Sequence, residues 1–107
     1  MVLEGRALRY GHVVWIDHRR VTLTHARRLV DDEVSGFNWG YHGAGPQLLA
    51  LAILLEVGID EMRAVKLHRY FARDILQPIP TGTDWRLELD VRTWAYDVER
   101  AHDAGLV

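Results

Sequence analysis

The chain has 107 residues, of which 49% are apolar and 26% charged, a composition typical of one folded domain with a single modest core. Its formal net charge of -2 gives the whole molecule no general attraction for nucleic acid or anionic membranes. With no cysteine, the chain has no disulfide framework, thiolate zinc site or cysteine nucleophile. We expect one domain over residues 1–107, located in the cytoplasm. The longest continuous apolar run, Leu48–Leu55, falls short of the roughly 20 residues of a membrane span.

The first third of the chain predicts a β-hairpin. Two apolar, β-branched runs flank "DHRR", which fits a turn between Ile16 and Val21, and a further strand is predicted over Ala7–Tyr10. The following "HARRLVDDEVS" is compatible with either a short helical turn or a loop. This part of the chain is basic, because Glu4 and Asp17 are its only acids up to Val30.

A central helix is predicted over Pro46–Val57. Pro46 suits the first helical position, where its missing N–H is not needed, and Gly45 can occupy the cap. Leucine, alanine or isoleucine faces every side of the segment, which predicts a helix buried all round. Gly58 then ends it.

A second, amphipathic helix is predicted from Asp60, its N-cap, to about Gln77. "WRLEL" alternates as a short strand does, and Asp90 can cap a final helix. The resulting fold class is α+β: an N-terminal hairpin or small antiparallel sheet packed on the buried central helix, then the amphipathic helix, a short strand and a C-terminal helix. The expected inward stripe of the second helix comprises Ala64, Leu67 or His68, Phe71 and Ile75.

The residues "GFNWGYHGAGP", followed by "LALAILL", "YFARDI", Trp85 and Trp94, resemble a family of short proteins from bacteria, archaea and their viruses. That family is catalogued as domain of unknown function six-one-six-six, and the resemblance covers nearly the whole chain. Asn38, His42 and Ala72 stand where the family pattern carries an acid, a glycine and a lysine. If that acid is catalytic in relatives, Asn38 cannot replace it as a general base, which disfavours an enzyme here. A viral or mobile-element role, as a sequestering protein or inhibitor, is compatible with the size and the family.

The glycine-rich loop before the central helix is the first candidate site. Glycines with positive φ can turn backbone N–H groups toward one point, where the helix dipole favours an anion or phosphate. The alternative is architectural, with glycines that let the chain cross closely over the helix and aromatics that fill the core. The candidate ligand-binding residues are Trp39, Gly40, Tyr41, His42, Gly43, Gly45 and Gln47.

The second helix offers another candidate surface. Four residues recur at spacings of three and four and share one face, which suits phosphates or an acidic partner. The alternative is a solvated face neutralised by nearby acids, and nucleic-acid binding is the less favoured use. The four residues are Arg63, Lys66, Tyr70 and Arg73.

No catalytic or metal signature is complete. The six histidines form no helical i, i+4 pair, and Ser35 lacks a nucleophile context, so we expect no metal, no cofactor and no catalytic residue. The sequence favours a non-enzymatic binding module for a small anionic ligand or nucleotide at the glycine-rich loop. The alternative is a protein-interaction or inhibitor module acting through an aromatic patch or the basic face of the second helix.

Overall fold

The computed structural model describes residues 1–30 and 36–106, and it shows an α+β fold. The strands are β1 Val2–Leu8, β2 Gly11–Ile16, β3 Arg19–Arg20 and β4 Trp85–Glu88. They form one four-stranded antiparallel sheet in the order β3-β2-β1-β4, so the strand nearest the C-terminus pairs with the first strand. The predicted fold class is therefore confirmed.

The predicted hairpin is present, with a tight turn at Asp17 and His18. Both residues have positive φ, 48° and 66°, as the two central residues of a type I′ turn require. Its second arm is short, because β3 has only two residues. The further strand predicted over Ala7–Tyr10 is wrong in its bounds: the strand is β1, seven residues long, and the chain turns immediately after it. Gly5 interrupts the apolar inner positions of β1, which weakened its period-two pattern.

The described helices are α1 Thr24–Leu29, α2 Ala44–Glu56, α3 Glu61–Phe71 and α4 Val91–Asp103, with a π-helix over Ala72–Leu76. The ambiguous "HARRLVDDEVS" is thus helical at its start, and its residues 31–35 lie outside the described part of the chain.

Helix α2 is the buried centre of the fold, as predicted, but it begins two residues earlier. Gly43 is the N-cap instead of Gly45, and the first helical hydrogen bond runs from the Gln47 N–H to the Gly43 carbonyl at 3.2 Å. Pro46 is thus the third helical residue, the last whose N–H would have no helical partner. Every residue from Leu48 to Leu54 is buried, and burying each leucine contributes about 1.5–3 kcal/mol.

Three polar groups fix the helix ends. Asp60 and Asp90 cap α3 and α4, as predicted, by accepting the backbone N–H of the residue three positions later. At the end of α2, the Arg92 side chain donates to the Val57 carbonyl at 2.9 Å, where the helix dipole favours a cation. The second helix is not one continuous α-helix to Gln77, because the π-helix forms its last turn.

The inner face of the sheet packs on this helical layer through Leu3, Val14 and Ile16, which are fully or almost fully buried. The predicted inward stripe of α3 is confirmed at Ala64, Leu67 and Phe71. In the described part of the chain, no helix has the length and apolar character needed to cross a membrane.

Candidate functional site

Hydrogen bonds join the glycine-rich loop to the end of the π-helix and to the segment that follows it. Trp39 is fully buried, and its indole Nε1–H donates to the Thr83 carbonyl at 3.2 Å. The Gly40 N–H donates to the Leu76 carbonyl, and the Thr81 hydroxyl donates to the Gly40 carbonyl, both at 3.0 Å. The backbone of the loop is therefore engaged in tertiary hydrogen bonds at its centre.

Gly40 has no room for a side chain. Its φ of +85° is a conformation that L-residues rarely adopt, and a Cβ there would lie 2.5 Å from both the Ile79 carbonyl oxygen and the Thr81 hydroxyl oxygen. Glycine at this position is explained by this close approach of the backbone.

Tyr41 occupies the space beside the start of α2. A Cβ on Gly43 would lie 2.8 Å from the Tyr41 ring, and a Cβ on Gly45 would lie 2.5 Å from the phenolic oxygen. The two glycines thus make room for this ring. The predicted anion position next to the helix N-terminus is bordered by a tyrosine, while His42 itself is exposed.

Trp39, one of the predicted ligand-binding residues, has aromatic neighbours within the protein. The rings of His12 and Trp85 meet it edge to face, with centroids 4.6 Å and 5.6 Å away. Such T-shaped pairs are favourable packing arrangements. The indole of Trp39 is therefore a core element that joins the sheet to the loop.

A cavity of about 510 Å³ lies between the first turns of α2 and the middle of α3, and we call it the α2–α3 cavity. It brings together two residues predicted for separate sites, Gln47 from the loop set and Lys66 from the basic face. The described residues that line it are Val30, Gln47, Leu48, Val65, Lys66, His68 and Arg69.

Two cations of this cavity form no ion pair in the described structure. Lys66 and Arg69 are exposed and lie one helical turn apart on α3, and neither forms an ion pair with any residue in the ranges 1–30 and 36–106. None of the residues named above as lining the cavity is acidic. Within the described residues the two cations thus lack an ion-pair partner, although Lys66 contributes to lowering the pKa of Glu99.

His68 is the buried polar side chain of the cavity, with 9% of its surface exposed. Its Nδ1 lies 2.5 Å from the Val65 carbonyl oxygen. A carbonyl can only accept, so Nδ1 carries the hydrogen and Nε2 keeps a lone pair. Burial lowers the pKa of His68 below 6.5, and the charge on Arg69 acts in the same direction. His68 is therefore a neutral acceptor at neutral pH.

The other three residues of the predicted basic face contact other residues of the protein. The Arg63 Nε lies 3.1 Å from both carboxylate oxygens of Glu99 on α4, and this hydrogen-bonded pair lowers the pKa of Glu99. Arg73 donates to Asp74 at 2.8 Å and lies over the Tyr70 ring at 5.2 Å. Of the four residues predicted as one face, only Lys66 lines the cavity.

A second and larger groove, of about 670 Å³, lies at the tip of the β1–β2 hairpin, and none of the predicted site residues lines it. Within residues 1–30 and 36–106, no three histidine or acidic side chains are placed so that they could hold a metal ion.

The family model described as "Family of unknown function (DUF6166)" matches residues 3–98. The chain belongs to this family. A comparison with curated proteins finds no match, and a comparison with solved structures finds none either. The resemblance drawn from the glycine-rich motif is confirmed, and the DUF6166 description names no activity.

In this DUF6166 member, the sequence pattern did not assign His68 and Arg69 to the site. His68 was an alternative to Leu67 for the inward stripe, and both are buried. The available signal was the spacing of Lys66 and Arg69, which puts two cations on adjacent turns of the helix.

Proposed function

We propose that this DUF6166 member is a non-enzymatic binding module that holds a small anionic ligand in the α2–α3 cavity. The observation that carries the proposal is the pair of cations, Lys66 and Arg69, which flank a cavity of about 510 Å³ without an ion-pair partner in the described structure. Gln47 adds a neutral donor opposite them.

The chemistry of the lining favours a phosphate or carboxylate group. Arg69 supplies a planar fork that suits two oxygens of one oxyanion, and Lys66 supplies a compact positive charge. The Gln47 amide can donate to a third oxygen, and His68 Nε2 can accept from a hydroxyl or a protonated oxygen of the ligand.

The size and apolar lining limit the rest of the ligand. A volume of about 510 Å³ lies within the range of small-molecule sites, and Val30, Leu48 and Val65 supply apolar surface. None of the described lining residues is a phenylalanine, tyrosine or tryptophan on which a base could stack. A small phosphate monoester or carboxylate therefore fits this lining better than a nucleotide does.

The glycine-rich loop contributes indirectly in this proposal. Its contacts with Thr81 and Thr83 fix where α2 begins, and the first turns of α2 carry Gln47 to the cavity. The cavity lies beside the first turns of α2, where the positive end of the dipole of α2 adds to the potential felt by an anion.

The proposal is tested by calorimetric titration with inorganic phosphate, pyrophosphate, phosphoenolpyruvate and adenosine monophosphate. Arg69→Glu should weaken the binding of the best of these at least about tenfold, which corresponds to about 1.4 kcal/mol. Arg73→Glu is the matched control: it changes the charge equally, one turn further along the chain, on a residue paired with Asp74. Equal losses in both variants would show a general charge effect and would overturn the proposal.

The variant His42→Asp distinguishes the cavity from the loop. His42 is exposed and does not line the α2–α3 cavity. We expect it to retain binding. If His42→Asp abolishes binding while Arg69→Glu does not, the ligand lies at the glycine-rich loop as the sequence suggested.

The alternative of a protein-interaction or inhibitor module stays a prediction, as does a viral or mobile-element origin. An interaction module that acts through the basic face of the second helix needs Arg63 and Arg73, and these are already paired with Glu99 and Asp74. Partner recovery that is unchanged by Arg73→Glu would count against that face.

A further inference from the structure

The sheet has an open edge at the first half of β2. Strand β3 pairs only with Trp15 and Ile16, and the last contact on that side is the hydrogen bond from the Val21 N–H to the Val14 carbonyl at 2.9 Å. After Val21 the chain leaves the sheet and enters α1. The segment from Gly11 to Val13 therefore has β1 on one side and no strand among the described residues on the other.

The direction of the backbone groups follows from antiparallel pairing. Groups of residues two apart point to the same side of a strand, so the N–H and C=O of His12 point the same way as those of Val14. That side faces away from β1. No backbone hydrogen bond joins this side of His12 to any part of the chain that the structure describes. Such an edge can pair with another extended segment.

A groove runs beside this edge, and we call it the edge groove. Its volume is about 670 Å³, and its walls come from the β1–β2 turn, the residues after β3, and the chain at Gly36 and Phe37. Four residues of β2, from Gly11 to Val14, span about 13 Å, which suits an added segment of four or five residues. The described residues that line it are Leu8, Arg9, Tyr10, Gly11, His12, Val13, Arg20, Val21, Thr22, Leu23, Arg27, Gly36 and Phe37.

The charge of the edge groove selects the occupant. Arg9 and Arg20 line the groove and form no ion pair within residues 1–30 and 36–106, and none of the described lining residues is acidic. Arg9 lies over the ring of Tyr10 at 5.4 Å, and 92% of Tyr10 is exposed, so the rim is an exposed aromatic and cationic surface.

We propose that the edge groove binds an extended acidic segment of a partner protein, which adds as a strand beside Gly11–Val14. Main-chain hydrogen bonds to His12 and Val14 supply the pairing, and acidic side chains on the segment meet Arg9 and Arg20. This surface is separate from the α2–α3 cavity, and the two share no described lining residue. Binding of an acidic segment at the edge groove can therefore be tested independently of small-anion binding.

Labelled hexapeptides test the occupant through fluorescence anisotropy. A peptide of alternating glutamate and valine should bind at least about tenfold more tightly than one of alternating lysine and valine. Arg9→Glu should weaken the acidic peptide about fivefold to tenfold. Arg6→Glu is the matched control, because Arg6 is an exposed arginine of β1 that does not line the groove, and its effect should stay within about twofold.

The pairing itself is tested without changing the protein. N-methylation of alternate peptide residues removes the N–H groups on one edge, and one of the two alternate sets should abolish binding while the other does not. Bound acidic peptide should also slow hydrogen exchange at the His12 amide. Binding that tolerates both methylated sets, or unchanged exchange at His12, would overturn strand addition. Self-association that Arg9→Glu abolishes would instead assign the groove to a second copy of the chain.

Discussion

Replacing Gly40 by alanine tests the structural role of the glycine-rich loop. The backbone at Gly40 has φ +85°, and placing an L-residue in the left-handed region costs about 1–2 kcal/mol. The new Cβ would also lie 2.5 Å from the Ile79 carbonyl oxygen and 2.6 Å from the Thr81 N, both backbone atoms that cannot swing aside. Relieving such an overlap costs about a further 1–3 kcal/mol.

A backbone shift that relieves this overlap would also weaken the tertiary hydrogen bonds at Gly40. Its N–H and C=O bond to Leu76 and Thr81, both at 3.0 Å, and each such bond contributes about 1 kcal/mol. We therefore expect Gly40→Ala to lower the free energy of unfolding by about 3–5 kcal/mol. Urea denaturation followed by tryptophan fluorescence measures this as a lower midpoint at unchanged slope.

Gly82→Ala is the matched control. Gly82 has a similar φ of +73°, but a Cβ there would meet nothing within 4 Å. This variant carries the backbone strain without the overlap, so it should cost only about 1–2 kcal/mol. If Gly40→Ala costs no more than Gly82→Ala, the close approach of the loop to Thr81 does not hold the loop, and the reasoning fails.

Three further predictions concern single side chains. The pKa of His68 is lower in the folded protein than in the unfolded chain, so the unfolded chain binds more protons as the pH falls below 6.5. The contribution of neutral His68 to stability is therefore full above pH 6.5 and declines as the pH falls. The unfolding free energy of His68→Gln should accordingly depend less on pH between 7.5 and 5.5 than that of the unmodified protein. Glu99→Gln should cost at most about 1 kcal/mol and less in high salt, because 45% of the Arg63 side chain and 31% of Glu99 are exposed. The benefit of the Glu99 carboxylate is present above its unfolded pKa near 4.5 and is lost as the pH falls through its lowered folded pKa. Trp39→Phe leaves the Thr83 carbonyl without its indole donor and should cost about 2 kcal/mol or more by thermal or urea unfolding.

Local rules predicted much of the fold. The turn within "DHRR" and the caps at Asp60 and Asp90 depend on residues a few positions apart, and the sequence predicted them directly. The type I′ geometry at Asp17 and His18 came only from the structure. The start of α2 was misplaced because Pro46 is acceptable at any of the first helical positions, so local preference does not choose among them.

The candidate site depends on distant contacts that local patterns do not contain. Gly40 requires glycine because of Thr81, and Arg63 is neutralised by Glu99, 36 positions away. Neither partner is visible from the spacing of residues on one helix. The meeting of Gln47 and Lys66 likewise follows from the packing of α2 on α3, which sets which turn of each helix faces the other.

The central claim is that a small anion binds between Gln47 and Lys66, and two unusual probes test it directly. Lys66 is the only lysine, so reductive ¹³C-methylation labels it and the N-terminal amine alone, and Gln47 and Gln77 are the only glutamines. We would titrate pyrophosphate into protein labelled for both kinds of signal, and follow the Lys66 methyl groups and the two glutamine side-chain amides by NMR. The account predicts saturable shifts of the Lys66 methyl and Gln47 side-chain amide signals with one dissociation constant, while the exposed Gln77 amide stays in place. Signals that do not move, or that drift together with Gln77 without saturating, would contradict it.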